Sequence, residues 1–271
     1  MLCFPNAKIN IGLNVIEKRS DGFHNIETIF YPIPLCDALE ITNSNILQDY
    51  QFSTTGIPVT IEDHDNIVMK AFQLLKTEFA IPPTAIHLHK NIPFGAGLGG
   101  GSADAAFMIK LLNDQYHLKL SESRMEQLAG MLGSDCPFFI QNKAVFAEGK
   151  GDIFSKVSID LSNYFIYLIK PNLPISTPEA YRCITPKYPD KSLRELIQQP
   201  IELWKDLIFN DFEDSIFPKH EELRTIKDML YKNGAIYAAM SGSGSSIYGI
   251  FKHKPLPISN FKNHFTWISH L

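Results

Sequence analysis

The chain has 271 residues, 45% of them hydrophobic and 20% charged, and its formal net charge is -4 at pH 7. This composition is typical of an ordinary globular protein with room for two domains, and the negative balance argues against general nucleic-acid binding. The four cysteines, Cys3, Cys36, Cys136 and Cys183, show no CxxC spacing, so the sequence predicts neither a disulfide scaffold nor a zinc site and favours a reducing compartment.

The first predicted element is a half-buried strand over residues 8–15, in which polar and apolar residues alternate. Lys8 and Asn10 share its polar face, where a lysine is ordinarily solvated. A turn at Asp21-Gly22 leads into a second predicted strand over residues 23–30. Because the strand pattern starts at once and no apolar run reaches about 18 residues, we expect no signal peptide, no membrane span and a cytoplasmic location.

Further strands are predicted around residues 39–42 and 50–54. Asp65 or Asn66 is then expected to cap a helix, and two prolines separate that helix from a strand over residues 85–90. His87 and His89 alternate on this strand with no other ligand cluster, so we expect an exposed face rather than a metal site.

A glycine-rich loop follows this strand and is the central feature of the sequence. Five of the seven residues from 95 to 101 are glycine, so an anion can approach the backbone closely. Ser102 is predicted to cap the helix that starts there. A loop of free N–H groups that leads into a helix N-terminus predicts a phosphate cradle.

Three other interpretations of the loop fit the sequence less well: a dinucleotide-binding motif, a P-loop and a flexible linker. The string Gly95-x-Gly97-x-x-Gly100 fits a dinucleotide-binding motif, but no strand with an acidic residue follows the helix. Gly101 stands where a P-loop requires lysine. A flexible linker would carry more polar residues and would not lead straight into a helix.

Beyond the loop helix, Ser121 is predicted to cap another helix that ends at Gly133. Asp135 follows, and because Pro137 lies close behind it, one interpretation of Asp135 is the N-cap of a short helix. The pattern changes after this region, and we place a domain boundary near residue 155, which gives domains of residues 1–155 and 156–271.

The second half mixes strands and helices without regular alternation, which predicts an α+β fold. It contains a strand over residues 164–169, a helix start at Thr177-Pro178-Glu179 and a helix end at Asn233-Gly234. A second small-residue loop, residues 241–246, lies between two predicted strands. That context predicts a supporting wall rather than a second phosphate loop.

Phosphoryl transfer needs a phosphate cradle, positive charge on the transferring group and a carboxylate for the acceptor's proton. The glycine loop supplies the cradle. Lys8 and Asp135 could supply the rest, although spacing alone does not single them out. The lysine and aspartate motifs of protein kinases are missing from the sequence.

Three segments, residues 5–11, 93–102 and 239–245, resemble in order the signature motifs of the GHMP small-molecule kinase superfamily. The resemblance spans essentially the whole chain. It implies a two-domain α+β fold, with an ATP-binding N-terminal domain like the second domain of ribosomal protein S5 and a ferredoxin-like C-terminal domain. It also implies a small-molecule kinase that uses ATP and Mg²⁺ to phosphorylate an alcohol group.

Residues 19–24, 133–139 and 210–213 are similar to one branch of this superfamily. Its members phosphorylate the 2-hydroxyl of a methylerythritol linked to cytidine diphosphate, on the non-mevalonate route to isoprenoid precursors. The resemblance implies that Lys8 and Asp135 are catalytic and that Asn10 lies near the methylerythritol. The implied cytosine pocket consists of Phe23, His24 and Tyr181, and Phe23 replaces a frequent tyrosine.

The same resemblance assigns the nucleotide contacts. Asn66 and Lys90 are expected near the adenine. The residues expected to contact the ATP phosphates are Pro93, Phe94, Gly95, Ala96, Gly97, Leu98, Gly99, Gly100, Gly101, Ser102 and Ala103. Ser102 is also expected near the metal, whose ligands the sequence does not indicate.

Two alternatives remain open at this stage. One is another GHMP kinase of small alcohols, of the homoserine or mevalonate type. The other is a catalytically silent nucleotide-binding member of the fold. Lys8 and Asp135 argue against the silent protein, which has no need to keep both, and Phe23-His24 favours a substrate that carries a nucleobase.

Overall fold

The computed structural model describes residues 1–44 and 49–271. The strands, in chain order, are β1 (Leu2–Cys3), β2 (Asn6–Lys18), β3 (His24–Cys36), β4 (Ala38–Asn43), β5 (Tyr50–Gly56), β6 (Thr84–Lys90), β7 (Val145–Glu148), β8 (Ile153–Lys156), β9 (Phe165–Lys170), β10 (Tyr237–Met240), β11 (Ile247–Phe251) and β12 (Phe265–His270). The helices are α1 (Ile67–Glu78), α2 (Gly100–Gln115), α3 (Glu122–Gly130), α4 (Phe138–Gln141), α5 (Thr177–Arg182), α6 (Leu193–Leu196), α7 (Trp204–Leu207), α8 (Phe212–Ile216) and α9 (Glu221–Lys232). Short 3₁₀ helices occupy Asp63–Asp65, Ile201–Leu203 and Ser259–Phe261.

In the described residues the strands form three sheets of four strands each. Their orders are β1-β4-β6-β5, β2-β3-β7-β8 and β10-β11-β9-β12. The β5–β6 pair is parallel, whereas β4–β6, β3–β7 and β9–β11 are antiparallel. The mixture of antiparallel sheets and helices confirms the predicted α+β fold class.

The residues group into two compact units. Unit 1 comprises residues 1–7, 35–94 and 99–143, and unit 2 comprises residues 8–34, 95–98 and 144–271. This interleaved division differs from the single boundary near residue 155 because β2 bonds to the second half of the chain. The Leu13 N–H donates to the Phe209 carbonyl, and the Val15 N–H donates to Asp211 Oδ2.

Unit 1 contains the sheet β1-β4-β6-β5, in which β6 alternates between a buried and a polar face. Ile86 and Leu88 are buried, whereas His87 is half-buried and His89 is exposed. The two imidazoles lie 2.9 to 3.0 Å from the hydroxyls of neighbouring β5 residues. The prediction of a solvent-facing polar strand face is confirmed.

Unit 2 has a core in which β2 and β3 share apolar contacts with the sheet β10-β11-β9-β12. Leu13, Val15 and Ile26 belong to the same buried cluster as Tyr167 and Met240. The buried face of α9 belongs to the same cluster and consists of Leu223, Ile226 and Leu230. In the described part of the chain, no helix is both long and apolar enough to cross a membrane.

The expectation that β2 is half-buried is wrong. Its residues from Asn6 to Leu13 are buried on both faces, and Lys8 is only 3% exposed. The alternating pattern could not predict the burial of the polar face, because buried polar groups of other residues cover that face in place of water.

Several helix ends were predicted correctly from local chemistry. The Asn66 side chain accepts a hydrogen bond from the Val68 N–H and caps α1, and Ser121 does the same for α3. Helix α9 is followed by Asn233 and then by Gly234, whose φ is 93°.

Other predicted helix ends were wrong. Helix α2 begins at Gly100 because Gly99, with φ of 68°, takes the cap position, so Ser102 is the third helical residue. Helix α3 ends at Gly130 rather than Gly133. The N-cap of α5 is Ser176, one residue before the predicted Thr177. Asp135 is not an N-cap, since Pro137 precedes α4 and provides no side-chain cap.

Candidate active site

The backbone of the glycine loop is built for close approach to its N–H groups. Gly95, Gly97 and Gly99 have φ values of 57°, 71° and 68°, so every second residue is in the left-handed region that favours glycine. Such alternation forms a concave nest of N–H groups. The 16-residue helix α2 starts directly after it, and its first N–H groups have no intrahelical acceptors. Nest and helix N-terminus together favour an anion.

Residues 95–98 of this loop are held in place within unit 2. Ser241 Oγ donates to the Gly97 carbonyl at 2.8 Å, and the Lys8 N–H donates to the Leu98 carbonyl at 2.9 Å. A Cβ atom on Gly97 would lie 1.8 Å from the backbone oxygen of Ser241. The 241–246 loop therefore supports the glycine loop, as the sequence predicted, and packing alone requires glycine at position 97.

Lys8 is buried, and its ammonium is fixed by neighbours in unit 2. Its Nζ donates to Asn10 Oδ1 at 2.6 Å and lies 4.5 Å from the centre of the Phe30 ring. The Asn10 backbone is held too, because its N–H donates to Ser241 Oγ at 3.1 Å and its carbonyl accepts from Tyr248 Oη at 2.8 Å. The structure thus brings the predicted residues Lys8 and Asn10 together and excludes a solvated strand lysine.

Asp135 belongs to unit 1 and lies in the turn between α3 and α4, where it is half-buried. Its neighbour Cys136 is fully buried, and burial raises the pKa of that thiol to about 11 against the smaller opposing effect of a hydrogen bond with Ser102. Cys136 therefore connects the turn that carries Asp135 with the first turn of α2.

Lys90 lies at the end of β6, in a buried ionic cluster that the sequence did not predict. Its Nζ contacts Asp37 Oδ2 and lies 2.7 Å from Asp104 Oδ2. Asp37 Oδ1 also accepts from the N–H groups of Asn91 and Ile92 at 2.6 and 2.8 Å. Burial raises the pKa of the Asp104 carboxyl well above its usual value, Lys90 opposes this, and Asp37 adds to it.

This cluster limits what Lys90 can do for a nucleotide. Its side chain is only 1% exposed, so its ammonium is committed to the cluster, and a contact with adenine would have to come from its backbone. The side-chain oxygen of Asn66 is likewise occupied by the α1 cap. The expected proximity of Asn66 and Lys90 to adenine stays a prediction.

Two aromatic residues of the predicted cytosine pocket contact each other. His24 and Tyr181 stack on each other, with ring centres 4.6 Å apart and planes 16° apart, and Tyr181 meets Phe212 edge-on at 4.8 Å. Phe23 is 58% exposed, with the Lys150 ammonium 5.0 Å from its ring centre. Partial burial and then the nearby Lys18 ammonium lower the pKa of His24.

In the described residues, no group of three or more His, Cys, Asp or Glu side chains is arranged to hold a metal ion. The site chemistry fits Mg²⁺ that arrives on nucleotide phosphates, since this ion is commonly held by phosphates with one or two protein oxygens. Asp135 and Ser102 are two residues of unit 1 whose side-chain oxygens could serve.

An α+β fold with a glycine loop that leads into a helix N-terminus fits a small-molecule kinase. Residues 66–143 match the GHMP kinases N terminal domain, and residues 192–258 match the GHMP kinases C terminal domain. The chain belongs to the GHMP kinase family, which confirms the family predicted from its three motifs.

Individual proteins of known name are also similar to this chain. The chain is 54% identical over 270 residues to the 4-diphosphocytidyl-2-C-methyl-D-erythritol kinase of Parabacteroides distasonis, with 98% of each chain covered. It is similar to a crystal structure of 4-(cytidine 5'-diphospho)-2C-methyl-D-erythritol kinase, with 29% identity, a TM-score of 0.78 and coverage of 92% and 90% of the two chains. The mevalonate kinase of Methanococcus jannaschii shares the fold, with 13% identity, a TM-score of 0.66 and coverage of 99% and 96%.

Proposed function

We propose that this chain is a kinase that transfers the γ-phosphoryl group of ATP to the 2-hydroxyl of 4-diphosphocytidyl-2-C-methyl-D-erythritol, a step toward isoprenoid precursors. The observation that carries the proposal is the 54% identity over 98% of both chains with an enzyme of that name. Identity at this level over the whole length favours this substrate over homoserine or mevalonate.

The glycine loop is the proposed site for the ATP phosphates, over the residues from Pro93 to Ala103. The alternating positive φ values of the loop and the N-terminus of α2 support this assignment. Mg²⁺, when bound with ATP, would neutralise phosphate charge near Ser102 and Asp135. Phosphate binding of this kind needs no lysine in the loop itself, which agrees with glycine at position 101.

Asp135 is the proposed general base. It would take the proton of the 2-hydroxyl as the oxygen attacks the γ-phosphorus and the bond to the bridging oxygen of ADP breaks. Lys8 is proposed to stabilise the negative charge that grows during this transfer. A buried ammonium in a fixed position is suited to that role, because little reorganisation is needed when the charge develops.

Phe23, His24 and Tyr181 are proposed to bind the cytosine, with Asn10 near the methylerythritol. The exposed ring of Phe23 offers a stacking surface, and His24 and Tyr181 are half-buried. A base cannot enter between His24 and Tyr181, whose ring centres are 4.6 Å apart.

We also propose the domains 1–155 and 156–271 and a cytoplasmic location. A boundary near residue 155 falls between the two family matches, which end at residue 143 and begin at residue 192. Four free cysteines are compatible with a reducing compartment. Cell fractionation with an antibody against the chain would test the location.

A substrate panel tests the function. The purified protein would receive ATP and Mg²⁺ with 4-diphosphocytidyl-2-C-methyl-D-erythritol, methylerythritol 4-phosphate, homoserine or mevalonate, and phosphorus NMR would locate the new phosphate. We expect rapid turnover with the cytidylyl substrate alone. Comparable turnover with homoserine or mevalonate would identify a different GHMP kinase, and ATP binding without any transfer would identify the silent member of the fold.

A further inference from the structure

The hydrogen bonds beside Lys8 continue beyond Asn10 into the interior of unit 2. Asn10 Nδ2 donates to Thr28 Oγ1 at 2.9 Å, and the Thr28 hydroxyl donates to the Gly12 carbonyl at 2.6 Å. Asn10 and Thr28 are 2% and 0% exposed, so bulk water does not compete for these bonds. A chain of buried hydrogen bonds therefore leads from the Lys8 ammonium to a backbone carbonyl.

The direction of every bond in this chain is determined by its two ends. An ammonium group only donates, so the amide atom of Asn10 that faces Lys8 has to be the oxygen. A carbonyl only accepts, so the one proton of the Thr28 hydroxyl goes to Gly12, and the hydroxyl is left to accept from the amide nitrogen of Asn10. Both ends thus require the same orientation of the Asn10 amide.

The far end of the chain depends on an irregularity in β2. Gly12 has a φ of 68°, which interrupts the regular strand and is readily adopted only by glycine. A Cβ atom there would also lie 2.7 Å from Ile208 Cγ2. On β3, Phe30 follows Thr28 by two residues and so shares its face, and its ring contacts the Lys8 ammonium. Two residues on one face of β3 therefore position Lys8: Thr28 acts through Asn10, and Phe30 contacts the ammonium directly.

We propose that Thr28 is a positioning residue for phosphoryl transfer: its hydroxyl orients the Asn10 amide, whose oxygen holds the Lys8 ammonium in place. The inference rests on the proposed function, in which Lys8 acts on charge that grows in the transition state. Without the hydroxyl the amide can rotate and present its NH₂ group to the ammonium, which removes the anchor of the lysine.

The test compares Thr28→Val with Thr28→Ser in steady-state kinetics with ATP and the cytidylyl substrate. Thr28→Val should lower kcat by roughly 10- to 100-fold, the range for a catalytic group displaced by about 1 Å. KM for ATP should stay the same, because the glycine loop is untouched. Thr28→Ser keeps the hydroxyl and should retain most of the kcat that the valine variant loses.

Thr84→Val is a matched control. Thr84 is also 0% exposed, and its hydroxyl donates to the Pro82 carbonyl at 2.7 Å and lies 2.8 Å from Tyr116 Oη. The same substitution there also removes a buried hydroxyl, but one bonded to Pro82 and Tyr116 rather than to Asn10, so kcat should not change. Unchanged kcat in Thr28→Val, or an equal loss of kcat in Thr28→Val and Thr84→Val, would overturn the proposal.

A second measurement separates this proposal from the proposed function. If Thr28 acts through Lys8, Thr28→Val should cause no further loss of kcat in a Lys8→Met background. If the losses of the two single variants add fully in the double variant, Thr28 does not act through Lys8. High kcat in Lys8→Met itself would instead remove the role of the lysine. If Thr28→Val does not fold, Thr28→Ser and Thr28→Ala both lack the methyl group, and equal kcat in these two variants would refute a role for the hydroxyl.

Discussion

The two buried lysines of the described residues, Lys8 and Lys90, have different surroundings. Lys90 is tied to the carboxylates of Asp37 and Asp104. The described contacts of Lys8 within unit 2 are a neutral amide oxygen and an aromatic ring. The Lys90 ammonium therefore serves the packing of unit 1, whereas Lys8 is the lysine proposed to act on the transferred phosphoryl group.

At Asp135, the proposed general base, we predict a loss of turnover rather than of binding. Asp135→Asn should lower kcat by roughly 10²–10⁴-fold with a modest change in KM, as expected when an acid–base group is lost. Stopped assays of ADP formation would measure it. Circular dichroism would confirm that the variant is folded, and near-normal turnover of folded protein would contradict the assignment.

In the ionic cluster, replacing Asp37 by asparagine should change the stability of the protein much more than the same replacement of Asp104. Both oxygens of Asp37 accept hydrogen bonds, so Asp37→Asn should destabilise the protein by about 3–5 kcal/mol, the usual effect of breaking a buried ion pair. Asp104 Oδ1 is buried without a hydrogen-bond partner in the described residues. Asp104→Asn should therefore remain within about 1 kcal/mol of the wild type at neutral pH.

The pH dependence of the Asp104 variant follows from the raised pKa of this carboxyl. The folded state keeps the proton to higher pH than the unfolded state does, so this residue lowers the free energy of unfolding as pH rises above the unfolded pKa of about 3.9. Asparagine does not ionise. Relative to the wild type, Asp104→Asn should gain stability between pH 4 and neutrality, as urea titrations at several pH values would show. A constant difference would argue against a raised pKa.

At the scale of elements, the connection from β6 through the loop to α2 determines where an anion can bind. Gly101 is the second residue of α2, and a Cβ atom on it would make only an ordinary contact, 3.7 Å from Ile67 Cγ2. Gly97 is a poorer position for testing phosphate binding, because any side chain there collides with the backbone of Ser241. The helix start therefore offers the cleaner experiment.

We predict that Gly101→Ala weakens ATP binding without destabilising the fold. Alanine in a helix is favoured over glycine by about 1 kcal/mol, so Tm should stay the same or rise. A methyl group beside the free N–H groups should weaken ATP binding at least about tenfold, which is the effect of losing one charge-assisted hydrogen bond. Calorimetric titration would measure it. Gly130→Ala in α3, with its Cβ 3.7 Å from Pro137 Cγ, is the matched control. Equal ATP affinity in both variants would rule out phosphate binding at the start of α2.

The sequence predicted elements with strong local patterns and missed what depends on distant residues. Helix α1 was found from its apolar stripe and its Asn66 cap, and the strand over Ile247–Phe251 from its apolar run. The burial of Lys8 and Asn10 could not be predicted, because Thr28 and Ser241 become partners of Asn10 only after folding. Asp104 was missed for the same reason, since its partners Lys90 and Asp37 lie 14 and 67 residues away in the chain. The resemblance to a family supplied the catalytic pair that spacing alone did not.

At the scale of the whole molecule, the chain passes between its two units five times. Two of these passages lie inside strands, because β2 begins in unit 1 and continues in unit 2, whereas β3 runs from unit 2 into unit 1. Melting one unit would therefore disrupt the strands of the other.

We accordingly predict one cooperative unfolding transition for the full chain. In differential scanning calorimetry the calorimetric and van't Hoff enthalpies should agree, as they do for two-state unfolding. ATP should shift the whole transition upward rather than part of it. Two separated transitions would show that the units unfold independently.

The interleaved chain also matters while the protein is being made. The Val15 N–H donates to Asp211 Oδ2, 196 residues further along the chain, and at about 5–20 residues per second a ribosome needs roughly 10–40 s to deliver that partner. During this time the apolar side chains of Leu13, Val15 and Ile26 lack the contacts that bury them in the finished protein. A nascent chain of this enzyme should therefore depend on chaperones that cover its first strands until synthesis is nearly complete.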